Sequence, residues 1–174
     1  TKSSIRLAGY TLMISNPCYI IAEAGVNHNG DFAMACELVD RAAAAGADAV
    51  KFQTFDATKL ASRTAPKAGY QNHGTDKDET QLDMLRKLEL PREWHHELRE
   101  RALAQGVTFL STAFDVGSLD FLASLDMPFY KIPSGEITNG PLLWKFARQR
   151  KPLIVSTGMA TLSEVEQSLA IIAH

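Results

Sequence analysis

Phe129–Asn139 reads FYKIPSGEITN, a short apolar run that sets Lys131, Ser134, Gly135 and Glu136 close together in the chain. Side chains along a strand alternate between two faces, so Lys131 shares a face with Phe129 and Pro133 and not with Tyr130 and Ile132. A cation on a buried strand is costly unless it meets an anion. The Ser-Gly-Glu that follows adds a hydroxyl, a backbone position tolerant of close approach, and a carboxylate. The stretch predicts a strand whose end grips a charged substrate. The plainer alternative is a lysine snorkelling at the edge of a sheet.

The same rhythm extends outward in both directions. CYIIAEA (18–24) predicts a strand that ends in a glutamate, and the turn-rich GVNHNG follows it. Asp31 then caps a helix with apolar residues at 34, 35, 38, 39, 42 and 43, a helical period, and Gly46 stops it. Further strands are predicted at 49–55, 107–114 and 152–158. Helices are predicted at 80–88, from Pro91 to the stop at Gly106, and at 117–125, 141–150 and 162–173. The last of these carries Val165, Leu169 and Ile172 as its core stripe. Residues 56–80 read as a long surface loop, and 1–17 as a preamble with room for a small hairpin around Ala8-Gly9. Five strands alternating with helices predict one parallel α/β domain over 18–174, with the sheet either open or closed into a barrel.

Composition sets outer limits. A net charge of −2 gives no general pull toward nucleic acid or an anionic membrane, so any anion site must be local. Cys18 and Cys36 lack metal-ligand spacing and read as buried thiols of a reducing compartment. No apolar run has the length of a bilayer span, and residues 1–16 lack the apolar core of a signal peptide. The expected location is the cytoplasm.

The polar residues fall in one kind of place. Strand 18–24 ends at Glu23, with Asn27 and His28 just beyond; strand 49–55 carries Lys51 and Gln53. Strand 107–114 ends near Ser111-Thr112, the opening stretch carries Lys131, Ser134 and Glu136, and the last strand ends in Ser156-Thr157-Gly158. In parallel α/β proteins the carboxyl ends of the strands build the site. Lys51 and Lys131 supply charge there, and Thr112, Ser134 and Ser156 supply donors. The STG turn before a helix would add backbone N–H groups. Glu23 and Glu136, set among cations, suit proton transfer or a substrate hydroxyl. A Schiff-base role for either lysine stays open. His28 has no second histidine at ligand spacing and reads as a packing or hydrogen-bonding residue. His95 and His96 read as solvated, and His73 as an uninformative loop residue.

IAEAGVNHNGD, ADAVKFQT, QLDMLRKLEL, FLSTAFD, KIPSGEITN and IVSTGMATL occur in this order. Together they resemble the N-terminal barrel of the sialic acid synthases, the family of N-acetylneuraminate, legionaminate and pseudaminate synthases. The resemblance runs from about Cys18 to the last residue. It implies a (β/α) TIM-barrel type fold, here about five βα units of an eight-stranded barrel of ~250 residues. It implies condensation of phosphoenolpyruvate with an N-acetylated aldose such as N-acetylmannosamine, giving a nonulosonic acid and phosphate. In that family water adds to C2 of phosphoenolpyruvate as C3 attacks the open-chain aldehyde, and the tetrahedral intermediate then loses phosphate.

Carried over by motif, Lys51, Thr112, Lys131, Ser134, Ser156 and Gly158 would hold phosphoenolpyruvate. Glu23, Gln53 and Glu136 would face the sugar and the reacting centre, with Glu136 the residue for proton transfer. A divalent metal, Mn2+ or Mg2+, is implied for the full-length family. Its histidine ligands and the C-terminal antifreeze-like domain of the homo-oligomer lie beyond the motifs present here, so no metal ligand is expected in this chain. The expectation is a truncated synthase, inactive alone. Two rivals remain: a non-catalytic anion-binding or oligomerisation half-barrel, and a Schiff-base aldolase.

Overall fold

The computed structural model describes residues 3–7, 10–14, 18–61 and 80–173. Strands β1 (Ser3–Leu7) and β2 (Tyr10–Ile14) pair antiparallel, with Leu7 opposite Tyr10. This is the hairpin for which the preamble had room, and its turn lies outside the described residues. The remaining strands are parallel. β3 (Ile21–Gly25), β4 (Ala49–Thr54) and β5 (Thr108–Ala113) form one sheet in that order, and β6 (Tyr130–Ile132) pairs with β7 (Leu153–Val155) in another. β5 and β6 lie side by side without a hydrogen-bonded ladder between them. Helices follow the strands: α1 (Phe32–Ala44), α2 (Ala57–Leu60), α3 (Gln81–Leu88), α4 (Arg92–Ala104), α5 (Val116–Ala123), α6 (Gly140–Ala147) and α7 (Leu162–Ala173).

Alternation along these strands separates two environments. Val50 and Phe52 of β4, Phe109 and Ala113 of β5, and Tyr130 and Ile132 of β6 are buried against the helices. They meet Ala35, Val39 and Ala42 of α1, Leu98 and Ala102 of α4, and Leu142 and Phe146 of α6 in one core. The opposite face carries Glu23, Lys51, Gln53, Thr112 and Lys131. Local chemistry fixes the helix starts. Asp31 accepts from Ala33 N and Met34 N at α1, and Asp115 accepts from Ser118 N at α5. At α3, Thr80 and Asp83 form a reciprocal capping box.

Several expectations are corrected. Strand β3 begins at Ile21, not Cys18, because Ile20 is held from the side: its N–H donates to Asp48 Oδ2 at 2.6 Å and its carbonyl accepts from Asp48 N and Ala49 N. Cys18 is therefore exposed and Cys36 only half-buried. His95 is fully buried instead of solvated. Its Nδ1 meets Pro91 O at 3.0 Å and its Nε2 meets Thr54 Oγ1 at 2.7 Å, which in turn meets Ser111 Oγ at 2.6 Å. These bonds supply the polar partners that burial demands and tie α4 to β4 and β5. His96 is exposed, as expected. On α7 the stripe is rotated: Leu169 is 53% exposed, Ser168 is buried with its hydroxyl on Val165 O, and Ile171 and Ile172 reach the core. The loop expected at 56–80 opens with α2, which Asp56 caps through Thr58 N. Most of that loop, His73 included, lies outside the described residues.

Candidate active site

Pairing register assembles the inner face. Glu23 stands opposite Lys51, and Gln53 opposite Thr112. Lys51 is buried and ion-paired with the exposed Glu23 carboxylate. Lys131 projects from the same face of β6, between the core residues Tyr130 and Ile132. Its pKa is lowered, first by burial and then by the like charge of Lys51, while Glu23 pulls the other way. Two ammonium groups from different sheets thus converge beside one carboxylate. The Thr112 hydroxyl is buried nearby in sequence register, and no described residue hydrogen-bonds it. An unmade bond of this kind costs about 1–3 kcal/mol, so among the described residues the site holds a donor without an acceptor.

Gly25 allows the close approach of this cluster. It sits at φ +56 where the β3 register slips, and a Cβ there would lie 3.3 Å from Glu23 Oε1 and 3.6 Å from Gln53 Nε2. Ser134 and Gly158 also come together: a Cβ on Gly158 would meet Ser134 Oγ at 3.5 Å. Ser156 continues the β6–β7 pairing, its N–H donating to Ile132 O at 3.1 Å. Glu136 ends a 3₁₀ turn over Ser134–Glu136 and accepts from Asn139 Nδ2 at 2.7 Å. Asn139 in turn caps α6 through Leu142 N, so the Glu136 carboxylate is oriented by the helix that follows it.

The STG turn differs from expectation. It does not open α7; Thr161 and Glu164 do, in a mutual capping arrangement that uses the first free N–H groups of the helix. Ser156 and Gly158 remain at the end of β7, but as loop residues. His28 is fully buried, with Nδ1 accepting from Gly30 N at 3.1 Å and its ring against Phe52 and Trp94. That matches a packing and hydrogen-bonding residue. Among the described residues no three His, Cys, Asp or Glu side chains converge where a metal could sit, so these residues do not fit one. Gly25 and the Asn139 brace on Glu136 escaped the sequence reading. The first had a faint signal in the Gly before the NHNG turn, and the second only in the Glu-x-x-Asn spacing.

A profile of the NeuB family matches residues 38–174. The chain belongs to the NeuB family. Among NeuB relatives, the N,N'-diacetyllegionaminic acid synthase of Legionella pneumophila is 53% identical over 155 residues, 89% of this chain and 44% of the relative. The namesake enzyme of Campylobacter jejuni is 52% identical over 153 residues, 88% of this chain and 46% of the relative. The chain therefore spans a little under half the length of these curated relatives. The fold is similar to that of the crystal structure of an N-acetylneuraminic acid (sialic acid) synthetase from Leptospira borgpetersenii in complex with citrate. That match has TM-score 0.78 and 31% identity, and covers 99% of this chain and 55% of the other. A truncated 3-deoxy-D-arabino-heptulosonate 7-phosphate synthase from Thermotoga maritima shares the fold alone, at TM-score 0.59 and 19% identity. The architecture is α/β of the TIM-barrel type. No helix among the described residues is long and apolar enough to cross a membrane.

Proposed function

We propose that this chain supplies the phosphoenolpyruvate-binding part of a nonulosonic acid synthase, which condenses phosphoenolpyruvate with an N-acetylated aldose and releases phosphate. The observation that carries the reading is the electrostatic meeting of Lys51 and Lys131 on the strand face that also carries the Thr112 hydroxyl, which no described residue hydrogen-bonds. Two cations held together are mutually unfavourable until an anion bridges them. Phosphoenolpyruvate brings a phosphate and a carboxylate, enough charge to engage both.

In this reading Lys51 and Lys131 neutralise the anion, and Thr112, Ser134, Ser156 and Gly158 orient its oxygens. Glu23 and Gln53 face the aldose. Glu136, steadied by Asn139, moves the proton that the new C–C bond requires. The names of the Legionella and Campylobacter relatives describe N,N'-diacetylated acids and support an N-acetylated sugar partner. The citrate complex of the Leptospira protein supports a polyanion on this architecture. About five βα units of an eight-stranded barrel, dependence on a divalent metal held elsewhere, homo-oligomerisation and a cytoplasmic location belong to the same proposal.

Isothermal titration of phosphoenolpyruvate, with Lys131→Ala beside it, tests the reading. Saturable binding that the substitution abolishes is expected. Absence of binding by protein that circular dichroism shows to be folded overturns it for this chain. The lowered pKa of Lys131 favours one second reading, a Schiff-base aldolase, since a less basic amine attacks carbonyls more readily. Borohydride trapping with pyruvate separates the two: a reduced adduct on Lys131 supports the aldolase, and its absence with phosphoenolpyruvate binding retained supports the synthase.

A further inference from the structure

Behind the anion site, on the sheet face turned to the helices, three buried side chains form a hydrogen-bond chain that the proposed chemistry does not use. Ser111 Oγ lies 2.6 Å from Thr54 Oγ1, and Thr54 Oγ1 lies 2.7 Å from His95 Nε2. His95 Nδ1 reaches Pro91 O at 3.0 Å, and its ring meets Phe109 and Phe121 edge-on. Burial keeps this imidazole neutral, with a pKa of about 4. The Pro91 carbonyl can only accept, so Nδ1 carries the single ring proton. Nε2 must then accept the Thr54 hydroxyl, and Thr54 Oγ1 accepts the Ser111 hydroxyl. Each donor is used once, so the chain runs one way, from β5 through β4 to α4.

The chain crosses the ladder on a diagonal. Register sets Phe52 opposite Ser111 and Thr54 opposite Ala113, so the Thr54–Ser111 bond resists sliding of β4 past β5. Gln53 precedes Thr54 and Thr112 follows Ser111, and register sets these two opposite each other on the anion-site face. No described residue hydrogen-bonds the Thr112 hydroxyl, so its place follows from the backbone that Ser111 holds from behind. We propose that His95 is a positioning residue for the anion site, holding the Thr112 hydroxyl toward the bound anion through Thr54 and Ser111. The inference rests on the reading of Lys51, Thr112 and Lys131 as a phosphoenolpyruvate site, and it extends that site to α4 on the other side of the sheet.

The test is a double-mutant cycle read by titration of phosphoenolpyruvate, with urea unfolding beside it. His95→Phe keeps a ring in the core and removes the acceptor. In folded protein it should weaken phosphoenolpyruvate binding about fivefold, and His95→Gln, whose amide oxygen can accept from Thr54, should restore most of the loss. In a Thr112→Val background the same His95→Phe change should cost less than about twofold, because the group it positions is gone. A role in folding alone would lower the urea midpoint of His95→Phe and leave its affinity at the parent's value, which overturns the proposal. Equal losses with and without Thr112 overturn it too. Where His95→Phe does not fold, Ser111→Ala at the far end of the chain enters the same cycle with the same expectation. Nuclear magnetic resonance of the imidazole nitrogens should find Nδ1 protonated and Nε2 bare; the opposite tautomer reverses the chain and overturns the proposal. A parent protein that does not bind phosphoenolpyruvate overturns the anion site itself and the proposal with it, an outcome the first titration reads before any variant is made.

Discussion

Thr112 and Lys131 both hold free energy in reserve. No described residue hydrogen-bonds the buried Thr112 hydroxyl, so Thr112→Val removes an unmet polar group without opening a cavity. Folding stability should stay level or rise by about 1 kcal/mol, while phosphoenolpyruvate affinity falls about tenfold. Urea unfolding and titration calorimetry read the two effects, and equal losses in both would refute a ligand-directed role. Lys131 is less basic than an ordinary lysine because burial and Lys51 disfavour its cation. Anion binding needs that cation, so affinity should decline as pH rises through the lowered pKa. Lys131→Met should bind weakly and lose this high-pH limb. At this scale the sequence was informative for strand residues, since alternation sets Lys131 apart from Tyr130 and Ile132, and Lys51, Gln53 and Thr112 stand toward the carboxyl ends of their strands. It said little of Gly25 or of the Asn139 bond to Glu136, because those depend on a register slip and a turn geometry that composition does not encode.

Among the elements, the junction of β4, α2 and α5 hangs on one carboxylate. Asp115 Oδ2 accepts from Asp56 N at 3.1 Å and from Ser118 Oγ at 2.5 Å, and its Oδ1 from Ser118 N at 3.0 Å and Lys59 Nζ at 3.2 Å. Burial alone would raise its pKa, but the Ser118, Asp56 and Lys59 bonds outweigh it and the net shift is downward. Asp115→Ala leaves buried donors unmatched and should cost about 2–3 kcal/mol in urea unfolding, against a few tenths for Glu37→Ala in the exposed pair with Arg41. Most helices were legible as elements because they carry a period and a cap; α4 was read from Pro91, which gives it no side-chain cap, and the short α2 was read as loop. Their ends moved by a few residues, and α7 turned to bury Ser168 instead of Leu169, because packing against α6 and the core outweighs the ranking of side chains by hydropathy. The STG turn misled for a related reason: it was read as lending its N–H groups to the start of the helix over 162–173, whereas Thr161 and Glu164 supply the cap.

For the whole molecule, buried histidines set the acid limit. Burial lowers His95 to about 4 and lowers His28 in the same direction. The unfolded chain, with His95 near 6.5, takes up its proton first as pH falls. Stability is therefore full above about 6.5 and drains by roughly 3 kcal/mol between there and about 4. Urea midpoints at several pH values should show this slope, and a slope unchanged in folded His95→Phe would assign it elsewhere. The alternating plan of strands and helices was legible at this scale from spacing alone. The break between β5 and β6 was not, because no local pattern reports which neighbouring strands form a ladder. That break has a consequence for ligand binding. Lys51 and Thr112 belong to the three-stranded sheet, while Lys131, Ser134 and Ser156 belong to the two-stranded sheet or its loops. A dianion gripped from both sides would act as a rivet between plates that the backbone leaves unjoined. Slowed amide hydrogen exchange should then spread along β6 and β7, well beyond the residues that touch the anion.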